Sequence, residues 1–143
     1  QGDRTLSNSY VLDACALLAL INNEEGADSV EAILREALDG KVEVYMNKIN
    51  VYEIYYGIYR VEGKDKADET YQLIQRQPIN IIDTFEDDVF KEAAKLKSKY
   101  KMSLADSIAL GETVFRNAFL LSSGHHEFDL VEQHEEIRIC WIR

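Results

Sequence analysis

Short, mostly apolar runs alternate along the chain with longer segments in which apolar residues recur every three or four positions. The short runs predict buried strands at residues 9–12, 42–46, 79–82, 119–122 and 137–141. The longer segments predict helices at residues 14–21, 28–38, 50–61, 64–76, 86–100 and 104–117, and we expect a loop before the last strand. Buried strands that alternate with helices are typical of a parallel sheet covered on both faces. The pattern therefore predicts a three-layer α/β/α fold around a central parallel sheet of about five strands.

Length and composition indicate one domain. A chain of 143 residues with 46% hydrophobic residues and one proline can bury a core and offers little material for linkers. We expect a single domain over residues 9–143, preceded by a segment, residues 1–8, that is disordered or derived from a cloning tag. Cys15 and Cys140 have no paired spacing, so we expect both to be reduced core residues of a cytoplasmic protein.

The charge balance narrows the class of protein. The chain has 16 basic and 26 acidic residues, a formal net charge of −10. This argues against a nucleic-acid binder that works through a broadly basic surface. An acidic pocket, a basic partner and solubility alone all remain compatible with it. No apolar stretch reaches the roughly 18 residues that a membrane span needs, so we expect no membrane partner.

One carboxylate lies inside the most apolar segment of the chain, residues 11–21. A charged Asp13 in such a run is costly unless another group compensates it. Asp13 can cap the helix that begins at Ala14, or it can belong to a site for a cation.

Two further carboxylates follow the starts of predicted helices. Asn50 and Glu53 have the spacing of a capping box, and so do Ser103 and Asp106. Taken alone, each favours a helix cap. In a parallel sheet, however, functional groups collect beyond the carboxyl ends of the strands, so the three acids would face one rim. A cluster of like charges needs a cation, and ligands that are all oxygen favour Mg²⁺ or Mn²⁺.

Three segments resemble the motifs of a known family. The run from Tyr10 to Leu20 is similar to the opening motif of PIN-domain nucleases, residues 50–57 to the second motif and residues 104–110 to the third. The resemblance covers nearly the whole chain, and the size is most similar to VapC-type toxins of toxin–antitoxin pairs. It implies a metal-dependent endoribonuclease in which Asp13, Glu53 and Asp106 are the catalytic and metal-binding acids. It also implies Mg²⁺ or Mn²⁺, an RNA substrate, a homodimer and an antitoxin whose basic segment covers the acidic site.

The chain departs from the family pattern after the fourth predicted strand. The family usually has a fourth acid there, in a motif resembling Thr-Ser-Asp-His-His-Glu-Phe, and this chain has Gly124 at that position. Glu127 or Asp129 could replace the acid, or both could face solvent on a loop, and Ser123 and Asn50 are candidate accessory residues. The departure leaves a first metal site in place and argues against a second one, or alternatively it reduces the activity. The alternative is a catalytically silent PIN-like domain that binds RNA or a protein.

Other surfaces have a functional and a simpler interpretation. A lysine run is most often an ordinary solvated helix face, but basic residues and the histidines could also contact the substrate. The candidates are His125, His126, Lys91, Lys95, Lys97, Lys99, Lys101, Arg60, Lys64 and Arg116. The stripe of Tyr52, Tyr55, Tyr56 and Tyr59 could pack in the core or form a partner surface. A signalling domain in which Asp13 accepts a phosphoryl group is a further alternative, but Asp13 has no acidic neighbour in the sequence.

Overall fold

The computed structural model describes residues 8–143, so nearly all of the N-terminal segment discussed above lies outside the described residues. The strands are β1 (Ser9–Leu12), β2 (Glu43–Asn47), β3 (Asn80–Ile82), β4 (Phe119–Ser122) and β5 (Arg138–Trp141). The helices are α1 (Ala14–Ile21), α2 (Ala27–Leu38), α3 (Lys48–Glu62), α4 (Lys64–Gln75), α5 (Asp87–Lys99), α6 (Leu104–Phe115) and α7 (His125–His134).

The five strands form a parallel sheet in the order β3-β2-β1-β4-β5. The chain builds outward from β1 in one direction through β2 and β3, and then crosses over to build β4 and β5 on the other side. The connections that leave β1 and β4 therefore diverge, and a crevice opens beyond their carboxyl ends. In the β1–β4 pair Leu12 lies opposite Leu121, so Asp13 and Ser122 are the next residues on the two strands.

Alternate residues of the central strands supply two separate cores. Leu12 and Leu121 belong to a core on one face of the sheet, and Val11 and Leu120 belong to a core on the other face. The first core includes residues of α1, α2, α3 and α4, and the second includes residues of α6 and α7 and Leu96 of α5. This arrangement confirms the predicted three-layer α/β/α fold with a parallel sheet of five strands.

The structure corrects three local predictions. Residues 125–134 form helix α7 where we expected a loop, and its Phe128 and Val131 are buried one helical turn apart. Helix α3 begins at Lys48 rather than at residue 50, because Asn47 caps it. Cys15 is an exposed residue and Cys140 is half-buried, so neither is a fully buried core residue. Among the described residues, no helix has the length and apolar character that a bilayer span requires.

Candidate active site

Asp13 lies at the end of β1 and caps α1, as one of the two interpretations predicts. Its Oδ1 atom accepts a hydrogen bond from the Ala16 backbone N–H at 2.9 Å, and its Oδ2 atom accepts one from the Ser122 hydroxyl at 2.5 Å. The pKa of this carboxyl group is raised to about 6: burial and repulsion from Asp106 and Glu53 raise it, and the two hydrogen bonds lower it. Asp13 is therefore a helix cap and also a member of an acidic cluster.

Glu53 reaches this cluster from the second turn of α3. It does not form the predicted capping box, because the α3 cap is Asn47, whose Oδ1 atom accepts a hydrogen bond from the Ile49 N–H at 2.8 Å. Partial burial raises the pKa of the Glu53 carboxyl, and repulsion from Asp106 adds to the shift. Glu53 thus faces Asp106 rather than the end of its own helix.

Asp106 lies in the first turn of α6, where Ser103 is the predicted cap. The Ser103 Oγ atom accepts a hydrogen bond from the Asp106 N–H at 3.1 Å, which confirms that cap. Burial raises the pKa of the Asp106 carboxyl, hydrogen bonding to Ser103 lowers it, repulsion from Glu127 raises it, and attraction by Lys97 lowers it. Asp106 is therefore repelled by Glu127, and Asp106 in turn raises the pKa of Glu53.

Glu127 lies against Gly124, the residue at the position where the family pattern has a fourth acid. A Cβ atom built on Gly124 would lie 2.9 Å from the Glu127 Oε1 atom and 3.2 Å from the Ser122 Oγ atom. The first turn of α7 therefore brings the Glu127 carboxylate back over Gly124 and toward Asp106. This geometry depends on α7, which the sequence pattern did not predict.

The remaining accessory candidates have different environments. Asp129 is exposed, and its Oδ1 atom lies 2.9 Å from Nδ1 of His125, whose ring stacks on Trp141. Ser123 is half-buried, and its carbonyl accepts a hydrogen bond from the His125 N–H. Asn50 is fully buried, and its Nδ2 atom donates to the Ala105 carbonyl at 3.2 Å, directly before Asp106. Asp129 thus points away from the acidic cluster, whereas Asn50 lies against it.

Sequence reasoning missed Ser122, which binds Asp13 directly. Its hydroxyl donates to Asp13 and accepts a hydrogen bond from the Gly124 N–H at 2.8 Å, and the residue is fully buried. The only usable signal is the pairing of β1 with β4, which places the residues after Leu12 and Leu121 side by side. The local pattern of apolar residues does not show which strands pair, so it could not predict this contact.

Cys15 also lies beside the carboxylates. Although the residue is exposed overall, desolvation of the sulfur atom raises the pKa of the thiol to about 12, and repulsion from Asp13 and Asp106 contributes. The thiol is therefore protonated at neutral pH and is not an activated nucleophile.

A cavity of about 440 Å³ opens directly beside Asp106 and Glu127. Its other lining residues are Tyr100, Lys101, Met102, Ser103, His126 and Leu130. It thus combines two carboxylates with one lysine, an imidazole and apolar walls.

Most of the other basic candidates are engaged elsewhere. Lys95 pairs with Glu92, Lys99 with Glu135 and Lys64 with Asp68, while the Lys97 ammonium donates to the Met102 carbonyl at 2.8 Å. Arg116 pairs with the buried Glu112, and Arg60 lies over the Tyr56 ring. Lys101 lines the cavity, and Lys97 lies near enough to lower the pKa of Asp106.

The donor set fits a divalent cation in its chemistry. All donors are carboxylate oxygens, which suit Mg²⁺ and Mn²⁺, and the carboxyl groups of Asp13, Glu53 and Asp106 all have a raised pKa to which neighbouring acids contribute. Within residues 8–143, no three His, Cys, Asp or Glu side chains converge closely enough to form a ligand cage as they stand. A bound cation would relieve the repulsion and requires the side chains to close around it.

The tyrosine stripe of α3 is largely exposed. Tyr52, Tyr56 and Tyr59 are exposed, and Tyr55 is half-buried. The Tyr55 hydroxyl donates a hydrogen bond to Asp68 at 2.7 Å. Tyr52, Tyr55 and Tyr71 line a second cavity of about 410 Å³ between α3 and α4. Core packing therefore accounts for little of the stripe, which favours a partner surface.

Three solved structures of bacterial proteins are similar to this chain in fold. VapBC2 from Rickettsia felis, bound to a promoter DNA fragment, has a TM-score of 0.71 and 16% identity and covers 93% of this chain and 98% of its own. DNA-bound VapBC from Salmonella typhimurium has a TM-score of 0.69 and 16% identity, with 95% and 99% covered. VapC20 from Mycobacterium tuberculosis, described as a sarcin–ricin loop cleaving toxin, has a TM-score of 0.61 and 10% identity, with 90% and 98% covered.

At these identities the structural similarity shows the fold. A search among curated proteins finds no significant match. The family model described as PIN domain matches residues 10–129, which include all three acids and Glu127. The match spans most of the chain, and the chain therefore belongs to the PIN domain family.

Proposed function

We propose that this protein is a metal-dependent endoribonuclease that hydrolyses RNA phosphodiester bonds. The observation that carries the proposal is electrostatic: burial raises the pKa of Asp13, Glu53 and Asp106, and repulsion from Asp106 raises the pKa of both Asp13 and Glu53 further. Membership of the PIN domain family supports the same activity. A cluster of costly carboxylates is typical of a functional site, because stability alone would select against it.

Asp13, Glu53 and Asp106 would hold a Mg²⁺ or Mn²⁺ ion, with Glu127 as the fourth acid. When bound, such an ion supplies charge neutralisation at the scissile phosphate and a water molecule of lowered pKa. The protein contributes the placement of the carboxylates. Ser122 and the Ala16 N–H orient Asp13 and favour its ionised form, and Ser103 does the same for Asp106.

The cavity beside Asp106 is our candidate for the RNA strand. Its volume suits a nucleotide, its apolar walls suit a base, and Lys101 and His126 can contact phosphate. Single-stranded RNA is recognised mainly through splayed bases that pack on side chains, so a groove of this kind fits an unpaired segment. The net charge of −10 makes these local contacts important, because the protein as a whole repels RNA.

We further propose that the protein is the toxin of a type II toxin–antitoxin module and acts in the cytoplasm. Similarity in fold to VapBC toxin–antitoxin proteins supports this assignment. An antitoxin with a basic segment would be attracted to the acidic cluster, where an Arg could pair with the carboxylates. The exposed tyrosines of α3 offer a surface for that antitoxin or for a second copy of the chain in a homodimer.

The test is cleavage of structured RNA by the purified protein with and without Mg²⁺ or Mn²⁺. We expect cleavage only with the ion, and we expect Asp13→Asn and Asp106→Asn each to abolish it. Asp129→Asn is the matched control, because that carboxylate is exposed and pairs with His125. Cleavage that needs no metal and survives both substitutions would exclude the mechanism.

The alternative is a silent PIN-like domain that binds RNA or a protein. Gly124 and the lack of a preformed ligand cage within residues 8–143 favour it. A wild-type protein that neither binds Mn²⁺ nor cleaves any RNA, but retains RNA or a small basic protein on purification, would select this alternative.

A further inference from the structure

A buried polar network joins the start of α3 to α6, and its residues do not line the cavity beside Asp106. Its centre is Glu112 of α6, which is 1% exposed. The Glu112 Oε2 atom accepts a hydrogen bond from Nδ2 of Asn47 at 2.7 Å, and its Oε1 atom accepts one from Nε of Arg116 at 3.0 Å. The Arg116 guanidinium lies 4.3 Å from the centre of the Tyr45 ring on β2. Nothing in the proposed chemistry uses this carboxylate.

Asn47 connects this network to the start of α3. Its Oδ1 atom accepts the Ile49 N–H at 2.8 Å, so the same side chain caps α3 and binds Glu112. Three residues later on α3, Asn50 donates to the Ala105 carbonyl of α6 at 3.2 Å. The two helices are antiparallel here: a step forward along α3, from Asn47 to Asn50, moves the contact backward along α6, from Glu112 to Ala105. The next turn of α3, which carries Glu53, therefore lies by the first turn of α6, which carries Asp106.

Helix α6 is fixed from its other side as well. A Cβ atom on Gly111 would lie 2.9 Å from the Val89 carbonyl oxygen and 3.2 Å from Ala93 Cβ, so α6 packs closely on α5. Since α5 holds α6 in place, the position of Glu53 relative to Asp106 depends on how α3 is attached to α6. A buried carboxylate is costly unless it is fully paired, and such networks favour one specific arrangement over alternatives.

We propose that Asn47 and Glu112 are positioning residues that set the placement of Glu53 relative to Asp106 and thereby the metal affinity of the site. The proposal rests on the proposed metal-dependent function. Neither residue touches the substrate or the ion. Residues that orient metal ligands from outside typically change metal affinity by about 10- to 100-fold when they are replaced.

The network allows a test by reversal of one hydrogen bond. In Asn47→Asp the new carboxylate can still cap α3, but it faces Glu112 without a proton to donate. In the double variant Asn47→Asp/Glu112→Gln, the new amide donates to residue 47 and its carbonyl oxygen accepts from Arg116. The double variant therefore restores each hydrogen bond and the total charge, with the polarity of one bond reversed.

The measurement is Mn²⁺ affinity by calorimetry, with thermal unfolding followed in parallel. We expect Asn47→Asp to weaken Mn²⁺ binding at least about tenfold, Glu112→Gln to weaken it by a smaller factor, and the double variant to return within about threefold of wild type. Leu34→Ala is the control, because it opens a cavity in α2 away from the site and lowers stability without touching this network. Should Asn47→Asp fail to fold, the comparison of Glu112→Gln with the double variant gives the same test.

The outcomes separate the two proposals. If wild type binds Mn²⁺ and the single variants bind it equally well, or if Leu34→Ala weakens binding as much as they do, the positioning role is excluded. If the rescue is observed but wild type cleaves no RNA, the positioning role holds and the endonuclease function fails. If wild type binds no Mn²⁺, both proposals are excluded.

Discussion

The Oε1 atom of Glu127 lies 2.9 Å from the point that a Cβ atom on Gly124 would occupy. The carboxylate thus fills the space where a side chain at position 124 would begin. Repulsion from Glu127 also contributes to the raised pKa of Asp106. These relationships support Glu127 as the substitute for the acid that the family pattern places at residue 124.

The first prediction concerns exchange between these two positions. We expect Glu127→Gln to lower the rate of RNA cleavage at least about tenfold, because the site loses one carboxylate. We expect Gly124→Asp alone to give no increase, since its side chain must displace Glu127. Added to Glu127→Gln, Gly124→Asp should recover activity. A large gain from Gly124→Asp in the wild-type background would show instead that Gly124 is a lesion in the site.

The second prediction is the pH dependence of metal binding. Asp13 must be ionised to bind a cation, and burial raises its pKa to about 6. Mn²⁺ affinity should therefore fall as the pH decreases through about 6. The Ser122 hydrogen bond lowers the pKa of Asp13, so Ser122→Ala should move this decline to higher pH. Calorimetry between pH 5 and pH 8 would measure it, and an unchanged midpoint in Ser122→Ala would contradict the role of this hydroxyl.

Much of the fold follows from the sequence because the buried strands are short apolar runs bounded by polar residues. Helix α7 was not predicted, because its only large apolar residues, Phe128, Leu130 and Val131, are too few to give a clear helical pattern. The start of α3 was misplaced since Asn47 and Asn50 are both good capping residues. The contact between Asn47 and Glu112, 65 positions apart, distinguishes them, and local periodicity carries no information on it.

Asp13, Glu53 and Asp106 were proposed because the motif resemblance names them one by one, and their role as metal ligands stays a prediction. The hydrogen bond from Ser122 to Asp13 joins residues 109 positions apart, and it follows only from the pairing of β1 with β4. The orientation of Glu127 depends in the same way on a helix that was not predicted. Contacts that depend on tertiary pairing are thus the part of the site that sequence reasoning could not supply.

The third prediction concerns the contribution of Lys101 to RNA binding. Lys101 is the lysine that lines the cavity beside Asp106, so Lys101→Ala should raise KM for RNA and leave Mn²⁺ affinity unchanged. Loss of one phosphate contact should also reduce the slope of log affinity against log salt by about 1. Lys91→Ala is the control, because Lys91 lines a different cavity with Asp88 and Glu92. Equal effects of the two substitutions would mean that only the overall charge matters.

The last prediction is that the site costs stability. The pKa of Asp13 is raised from 3.8 to about 6, so keeping it ionised in the folded protein at pH 8 costs on the order of 3 kcal/mol. Asp13→Asn removes this cost and weakens a hydrogen bond worth about 1 kcal/mol, which leaves a net gain of about 2 kcal/mol.

Because the folded-state pKa is the higher one, the gain is fully present above pH 6 and disappears as the pH falls toward 3.8. Thermal unfolding at pH 8 and pH 4 measures this difference. Mn²⁺ should raise the Tm of wild type at pH 8, since it binds the folded state, and should leave the Tm of Asp13→Asn unchanged. Asp129→Asn, at an exposed acid, is the control: it should not gain stability, and Mn²⁺ should raise its Tm as in wild type. A loss of stability in Asp13→Asn at pH 8 would mean that the capping role of Asp13 outweighs the cost of its burial.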